Sequence, residues 1–391
     1  MSPISVQRPM SRRSILQATS LSALAVGAGG LLSACGTGGS KVEAGSCDSV
    51  DKSDTEKTIN FSNWIGYIDP IKKPGSTLTE FEDQTGIQVS YNTDVDDNET
   101  FFATVSPQLR ACKSTGRDVF VLTDWMASRM IDLNWLQKLD HSKMPNVDAN
   151  LMDFLKSPAF DPDREYSVPW QSGMTGICYN SDLTDPVTSF KELMTRQDLH
   201  GKVEVLTEMR DTMGFMLMML GSDPEDFTDD EFSAAIDELQ GYVDNGQIRK
   251  LAGNSYVDDM KSGNIVACEA WSGDVINLLG GDPYKYVQPE EGFMIWTDNM
   301  LVPNKAEHKS NVEELMNFYY DPVHAAKLAA WNYYFCPVAG AQAEIGQFDK
   351  SAVNSPFIFV DDTTLQKGKL FQPLNETQAT NYQAQFNEVL G

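Results

Sequence analysis

Six cysteines and four histidines are the residues of this 391-residue chain best suited to chemistry beyond acid–base exchange. One thiol has a defined context. Leu32-Ser33-Ala34-Cys35 has the form of a lipobox, whose cysteine is acylated and becomes the new N-terminus. Ahead of it stand a twin-arginine pattern, Ser11-Arg12-Arg13-Ser14-Ile15-Leu16, and an apolar run from Leu21 to Leu32. That run is too short for the roughly 20 residues of a membrane span. Residues 1–34 therefore read as a signal peptide and Cys35 as a lipid attachment site. Acyl burial at roughly 0.8 kcal/mol per CH₂ would hold the chain at the outer face of a cytoplasmic membrane. Residues 35–55, rich in Gly, Ser, Thr and Asp and including Cys47, read as a flexible tether.

The other thiols suggest less. Cys112, Cys178, Cys268 and Cys336 have no CxxC spacing, which leaves zinc and thioredoxin-like chemistry unsupported. Outside the membrane a disulfide is permitted. Cys178 and Cys268, both in apparent buried strands, are the first choice for a pair; two separate buried thiols are the alternative. His141, His200, His308 and His324 lack metal-ligand spacing and are expected at the surface. There is no G-x-S-x-G elbow, and Gly27-Ala28-Gly29-Gly30 lies inside the signal segment. No catalysis, metal or cofactor is expected. Asn98-Glu99-Thr100 and Asn375-Glu376-Thr377 fit a glycosylation sequon, which carries little weight in a bacterial lipoprotein.

The elements that position such residues follow from patterning. From Thr58 the chain alternates strands (58–62, 87–91, 118–122) with helices (78–85, closed by Gly86; 100–114; 125–133), a βαβαβα rhythm that implies a parallel sheet covered by helices. The stretches 166–170 and 176–180 are extended, with glycines between, and look like a crossing between domains. Further strands are expected at 203–206, 264–269 and 292–296, and helices at 211–221, 229–245, 311–320 and 322–333. The formal charge is −26. Loss of residues 1–34 removes three arginines and no acids, leaving −29. Nucleic acid and anionic lipid are therefore poor partners. A cationic ligand is compatible, although a solvated acidic surface accounts for most of the carboxylates.

Several segments in order carry a resemblance. Asn60-Phe61-Ser62-Asn63-Trp64-Ile65-Gly66-Tyr67-Ile68 is followed by Trp135-Leu136-Gln137-Lys138-Leu139-Asp140, Tyr166-Ser167-Val168-Pro169 and Leu206-Thr207-Glu208-Met209-Arg210-Asp211. Then come Ala270-Trp271-Ser272-Gly273-Asp274, Trp296-Thr297-Asp298 and Tyr333-Tyr334-Phe335-Cys336-Pro337-Val338. Over nearly all of residues 56–391 this series resembles the periplasmic spermidine/putrescine-binding proteins of ABC importers. The resemblance implies an α/β fold of the periplasmic binding protein type (type II-like), with a ligand cleft between two lobes. Lobe one is placed at 56–175 and 298–340, lobe two at 176–297 and 341–391.

The resemblance also implies a site. A polyamine needs carboxylates for its ammonium ends and flat apolar walls for its methylenes. Each charge-assisted hydrogen bond contributes about 1.5–3 kcal/mol and each ammonium over an aromatic face roughly 0.5–2 kcal/mol. Asp298 would grip one ammonium. Trp64 and Tyr67 would stack on the ligand and hydrogen-bond one end, and Trp271 and Trp296 would form walls, although one of these could be structural. Thr123 and Trp125 follow the third strand, where Trp125 replaces a family tyrosine, losing a hydroxyl and keeping a wall. Asp124 reads as a cap for the next helix. Glu208 and Asp211 are candidates for the second ammonium, but their spacing departs from the family pattern, so either can face the ligand; Arg210 reads as their bridge. Tyr334 would line the cleft, with Tyr333 the alternative if the register slips by one, and Gln372 matches a family amide weakly.

The leading reading is a monomeric, lipid-anchored receptor that closes on a polyamine and delivers it to ABC permease subunits. The same fold could carry ferric iron, thiamine, a sugar or an amino-acid-like solute. The only hint of iron is the tyrosine set Tyr319, Tyr320, Tyr333 and Tyr334. A membrane-anchored sensor is the reading of another class.

Overall fold

In the computed structural model, Cys47 and residues 49–391 are described. The expected signal peptide, the lipid attachment at Cys35 and most of the tether lie outside the described residues. In chain order the elements are β1 (Thr58–Trp64), α1 (Thr77–Thr85), β2 (Gln88–Val95), α2 (Asn98–Arg110), β3 (Val119–Thr123), α3 (Asp124–Asp132), α4 (Pro145–Asn150), β4 (Ser167–Asn180) and α5 (Phe190–Thr195). They continue with β5 (Val203–Leu206), α6 (Met209–Leu220), α7 (Asp229–Asp244), β6 (Ile248–Ala252), α8 (Tyr256–Ser262), β7 (Ala267–Trp271), α9 (Ser272–Asn277), β8 (Tyr284–Val287) and β9 (Phe293–Leu301). The last are α10 (Lys309–Tyr319), α11 (Pro322–Asn332), α12 (Ala341–Glu344), α13 (Asp362–Leu365), β10 (Gly368–Lys369) and α14 (Glu376–Leu390).

Local chemistry fixes many boundaries. Gly86 ends α1 at φ +74°, returning its N–H to Glu82 O; the left-handed conformation costs glycine no Cβ clash. Thr228 and Glu231 form a reciprocal capping box at α7.

The strands form one mixed sheet in the order β2-β1-β3-β9-β4-β7-β5-β6. The expected parallel sheet holds only within each half: β1 is parallel to β2 and β3, and β5 to β6 and β7. Between the halves β9 runs antiparallel to β3 and to β4, and β4 antiparallel to β7. Helical crossovers produce parallel neighbours, whereas β4 and β9 are long strands that traverse both halves. The two extended stretches expected around residues 166–180 are one continuous buried strand, β4. One apolar core packs α1–α4, α10 and α11 against β1–β3; the other packs α5–α7 and α14 against β5 and β6. The turns at 341–354 place Ala341, Ile345 and Ala352 in the first core.

Three expectations change here. The tether is pinned from Cys47 onward and is not free to residue 55. Cys47 is disulfide-bonded to Cys112 just beyond α2, Lys52 pairs with Glu307 at 2.8 Å, and the Ser53 hydroxyl accepts from Asn311 N at 3.1 Å. Cys178 and Cys268 face each other across β4 and β7 as free buried thiols, packed as small apolar groups. His308 is buried, not superficial, and is held between Asp118 (2.9 Å) and Glu56 (3.0 Å).

Candidate functional site

The first turns after β1, β3, β5 and β7 converge on the middle of β9, where the two parallel half-sheets meet. Such a junction, beyond the carboxyl ends of strands, is where open α/β sheets bind ligands. The cleft there has a cavity volume of about 110 Å³.

Its walls are aromatic and come from both halves. Trp64, at the end of β1, donates from Nε1 to Val121 O at 3.1 Å. Its ring meets that of Trp271, at the end of β7, edge to face, with centroids 5.8 Å apart. Tyr334 packs edge to face on Tyr67 (4.9 Å) and lies 5.7 Å from Trp296. Two glycines make room: a Cβ on Gly273 would sit 2.5 Å from the Tyr334 ring, and one on Gly173 would strike the Trp296 indole.

Carboxylates stand between these rings. Asp298 accepts from Tyr67 Oη and Thr123 Oγ1, both at 2.7 Å. Asp211, in the first turn of α6, accepts from Trp271 Nε1 at 3.0 Å. Glu208, just ahead of α6, accepts from Asn98 Nδ2 at 2.9 Å. Asp124 accepts from Asn299 Nδ2 at 2.6 Å. Burial disfavours the charged form of each, pushing Asp298 up to about 7, Glu208 to about 8, and Asp211 and Asp124 to about 6. Among the described residues Arg210 is the only basic one in the lining. The site is thus an aromatic slot with an excess of desolvated carboxylates.

Ten of the eleven ligand residues expected from sequence line this cleft: Trp64, Tyr67, Thr123, Trp125, Glu208, Asp211, Trp271, Trp296, Asp298 and Tyr334. Gln372 does not, because its amide is spent on the backbone N and O of Phe227; Leu370 and Phe371 line the cleft in its place. Tyr333 points elsewhere, its hydroxyl on Asp349 and Ser351. Asp124 is not the cap of α3, since Thr123 holds that position. Arg210 bridges neither acid by hydrogen bond. Its guanidinium lies 3.4 Å from the centroid of Trp125 and covers that wall.

Sequence reading passed over Asn98, Asn254 and Asp274. The first two line the cleft. Asp274 takes the hydroxyls of Tyr334 (2.6 Å) and Tyr256 (2.8 Å) and so fixes the Tyr334 ring. Its place right after the Trp271-Ser272-Gly273 segment was the available signal.

A cleft between two half-sheets, lined by rings and grips and crossed by two shared strands, defines a two-lobed solute receptor. The profile of the bacterial extracellular solute-binding proteins matches residues 76–353, and the chain belongs to that family. It is 28% identical over 324 residues to the spermidine/putrescine-binding periplasmic protein of Escherichia coli (strain K12), covering 82% of this chain and 88% of the relative. It is 28% identical over 300 residues to the putrescine-binding periplasmic protein PotF of the same organism, covering 71% and 77%. Among solved structures, a chain from Listeria monocytogenes assigned to a spermidine/putrescine ABC transporter superposes with a TM-score of 0.75 at 27% identity, covering 85% of this chain and 99% of that one.

Proposed function

We propose that this protein binds a polyamine, spermidine or putrescine, outside the cytoplasmic membrane and presents it to the permease of an ABC importer. The observation that carries the reading is the charge imbalance of the cleft. Asp298, Asp211 and Glu208 are buried, and Asp124 half-buried, among indole and phenol rings, against a single lining cation among the described residues, Arg210, which is already stacked on Trp125. Desolvated carboxylates favour a cationic ligand, and the rings offer methylene packing and cation–π contact. The names of the relatives agree with this ligand class. Tyr319 and Tyr320 give no support to iron, because their hydroxyls are engaged with Thr77 and with Pro169 O, away from the cleft.

The mechanism is closure. A ligand touching both lobes stabilises the closed arrangement by its differential contacts, and no bond is made or broken. We place the lobes at 56–175 with 298–340 and at 176–297 with 341–391; the packing of 341–354 on the first core favours extending lobe one to about residue 358. Acylation at Cys35 supplies the membrane attachment, and the receptor acts as a monomer. A thermal-shift panel tests the ligand class. Spermidine or putrescine raises the melting temperature by mass action, while thiamine, sugars and anionic amino acids do not. A shift confined to a solute other than a polyamine overturns the reading.

A further inference from the structure

Asn98 belongs to the Asn98-Glu99-Thr100 sequon, yet it is fully buried and faces the cleft. It opens α2 on the β1–β3 side. Its Oδ1 accepts from Thr123 N at 3.0 Å. Its two amide hydrogens serve Thr123 Oγ1 and Glu208 Oε2, each at 2.9 Å. Its backbone N–H also reaches Glu208 Oε2, at 3.3 Å. Glu208 stands ahead of α6 on the β5–β7 side, so one asparagine spans the two halves with all its side-chain donors used.

We propose that Asn98 is a positioning residue that clasps the lobes together and couples that clasp to the ligand grip at Asp298. The coupling rests on the polyamine reading and follows from hydrogen-bond polarity. An ionised Asp298 can only accept, so the Thr123 hydroxyl points its hydrogen at Asp298 Oδ1, 2.7 Å away. Its lone pair then faces Asn98 Nδ2. The Thr123 backbone N–H on Oδ1 holds the amide in the orientation that presents its second N–H to Glu208. Asp298, Thr123 and Asn98 thus form one hydrogen-bonded chain from the ligand grip to Glu208, and through it a ligand held at Asp298 bears on the clasp. The next residue adds a second, more exposed strap: Arg129 bonds both Glu99 oxygens at 3.1 Å and Glu376 at 3.2 Å. Exposed pairs contribute little, so the buried Asn98–Glu208 contact is the principal one.

The test uses the full chain with spin labels at Leu133→Cys and Leu183→Cys, two exposed sites on opposite sides, and reads the interlobe distance with and without spermidine. Asn98→Asp sets a carboxylate against Glu208 and is expected to cut the closed population at least tenfold, leaving the long distance at saturating spermidine. Asn98→Asp combined with Glu208→Gln restores a donor–acceptor pair of reversed polarity and is expected to recover the wild-type distance measured without spermidine, a reading that does not depend on Glu208 as a ligand carboxylate. Closure of Asn98→Asp like the wild type overturns the proposal. So does failure of the double variant to recover the spermidine-free wild-type distance while it melts cooperatively near the wild-type temperature. If wild type ignores spermidine and putrescine, the polyamine reading falls; the ligand-free distances of the same variants still decide the clasp.

Discussion

Trp64 and Trp271 meet edge to face with centroids 5.8 Å apart, although one ends β1 and the other ends β7. Each is held by its own half: Trp64 by Val121 O, Trp271 by Asp211. The pair is therefore both a wall of the slot and a contact across it. Trp64→Ala and Trp271→Ala are each expected to weaken spermidine binding roughly 10- to 100-fold, the loss of one stacking face and its packing. Calorimetric titration measures this, and an unchanged Kd for either variant removes that ring from the site.

The glycines give a steric test. Gly273 has no room for a Cβ beside Tyr334, and Tyr334 is tied to Asp274. Gly273→Ala is expected to displace the phenol and lower affinity about tenfold or more, with little change in the far-ultraviolet circular dichroism. If affinity holds, the Tyr334 ring is not a rigid wall.

Proton linkage follows from the buried carboxyls. Burial raises Asp298 to about 7 and Glu208 to about 8, against roughly 4 in an unfolded chain. The folded protein thus holds more protons between about pH 4 and 8, and its stability falls as pH rises through that window. His308, raised by its bonds to Glu56 and Asp118 against the opposing effect of burial, acts in the same direction. Ligand-free protein is expected to melt higher at pH 5.5 than at pH 8. Spermidine favours the ionised carboxyls, so affinity is expected to improve from pH 6 to 8 with proton release on binding. Titrations in buffers of different ionisation enthalpy count those protons, and a flat Kd over this range contradicts the assignment.

The disulfide gives a fourth expectation. Non-reducing peptide mapping is expected to find Cys47 joined to Cys112, with Cys178, Cys268 and Cys336 as thiols. A cross-link spanning 65 residues contributes at most about 4 kcal/mol by chain entropy, so reduction is expected to lower the melting temperature by several degrees. A Cys178–Cys268 peptide contradicts the pairing.

Much of this was legible in the sequence, for physical reasons. Helices with strong stop signals, such as α1 at Gly86, and β5 at Val203–Leu206 follow from period and punctuation. The site rings were readable because they follow strands within ordered segments. What was not legible depends on partners distant in sequence. β6 and α14 show weak amphipathic patterns and are defined by packing on β5 and α7. Gln372 failed because Phe227, far away in the chain, claims its amide. Arg210 finds Trp125 only once α6 faces α3. Asn98 was read only as part of a sequon of little weight, because nothing local announces that Glu208 lies opposite.

The central claim is that Asp298 holds a ligand ammonium between aromatic walls. Calorimetric titration of spermidine and putrescine into wild type and Asp298→Asn tests it most directly. Binding near micromolar Kd by wild type, about −8 kcal/mol, with a loss of 100-fold or more in the variant, is the expected result. Equal affinities for the two proteins, or no heat from wild type with either ligand, contradict it.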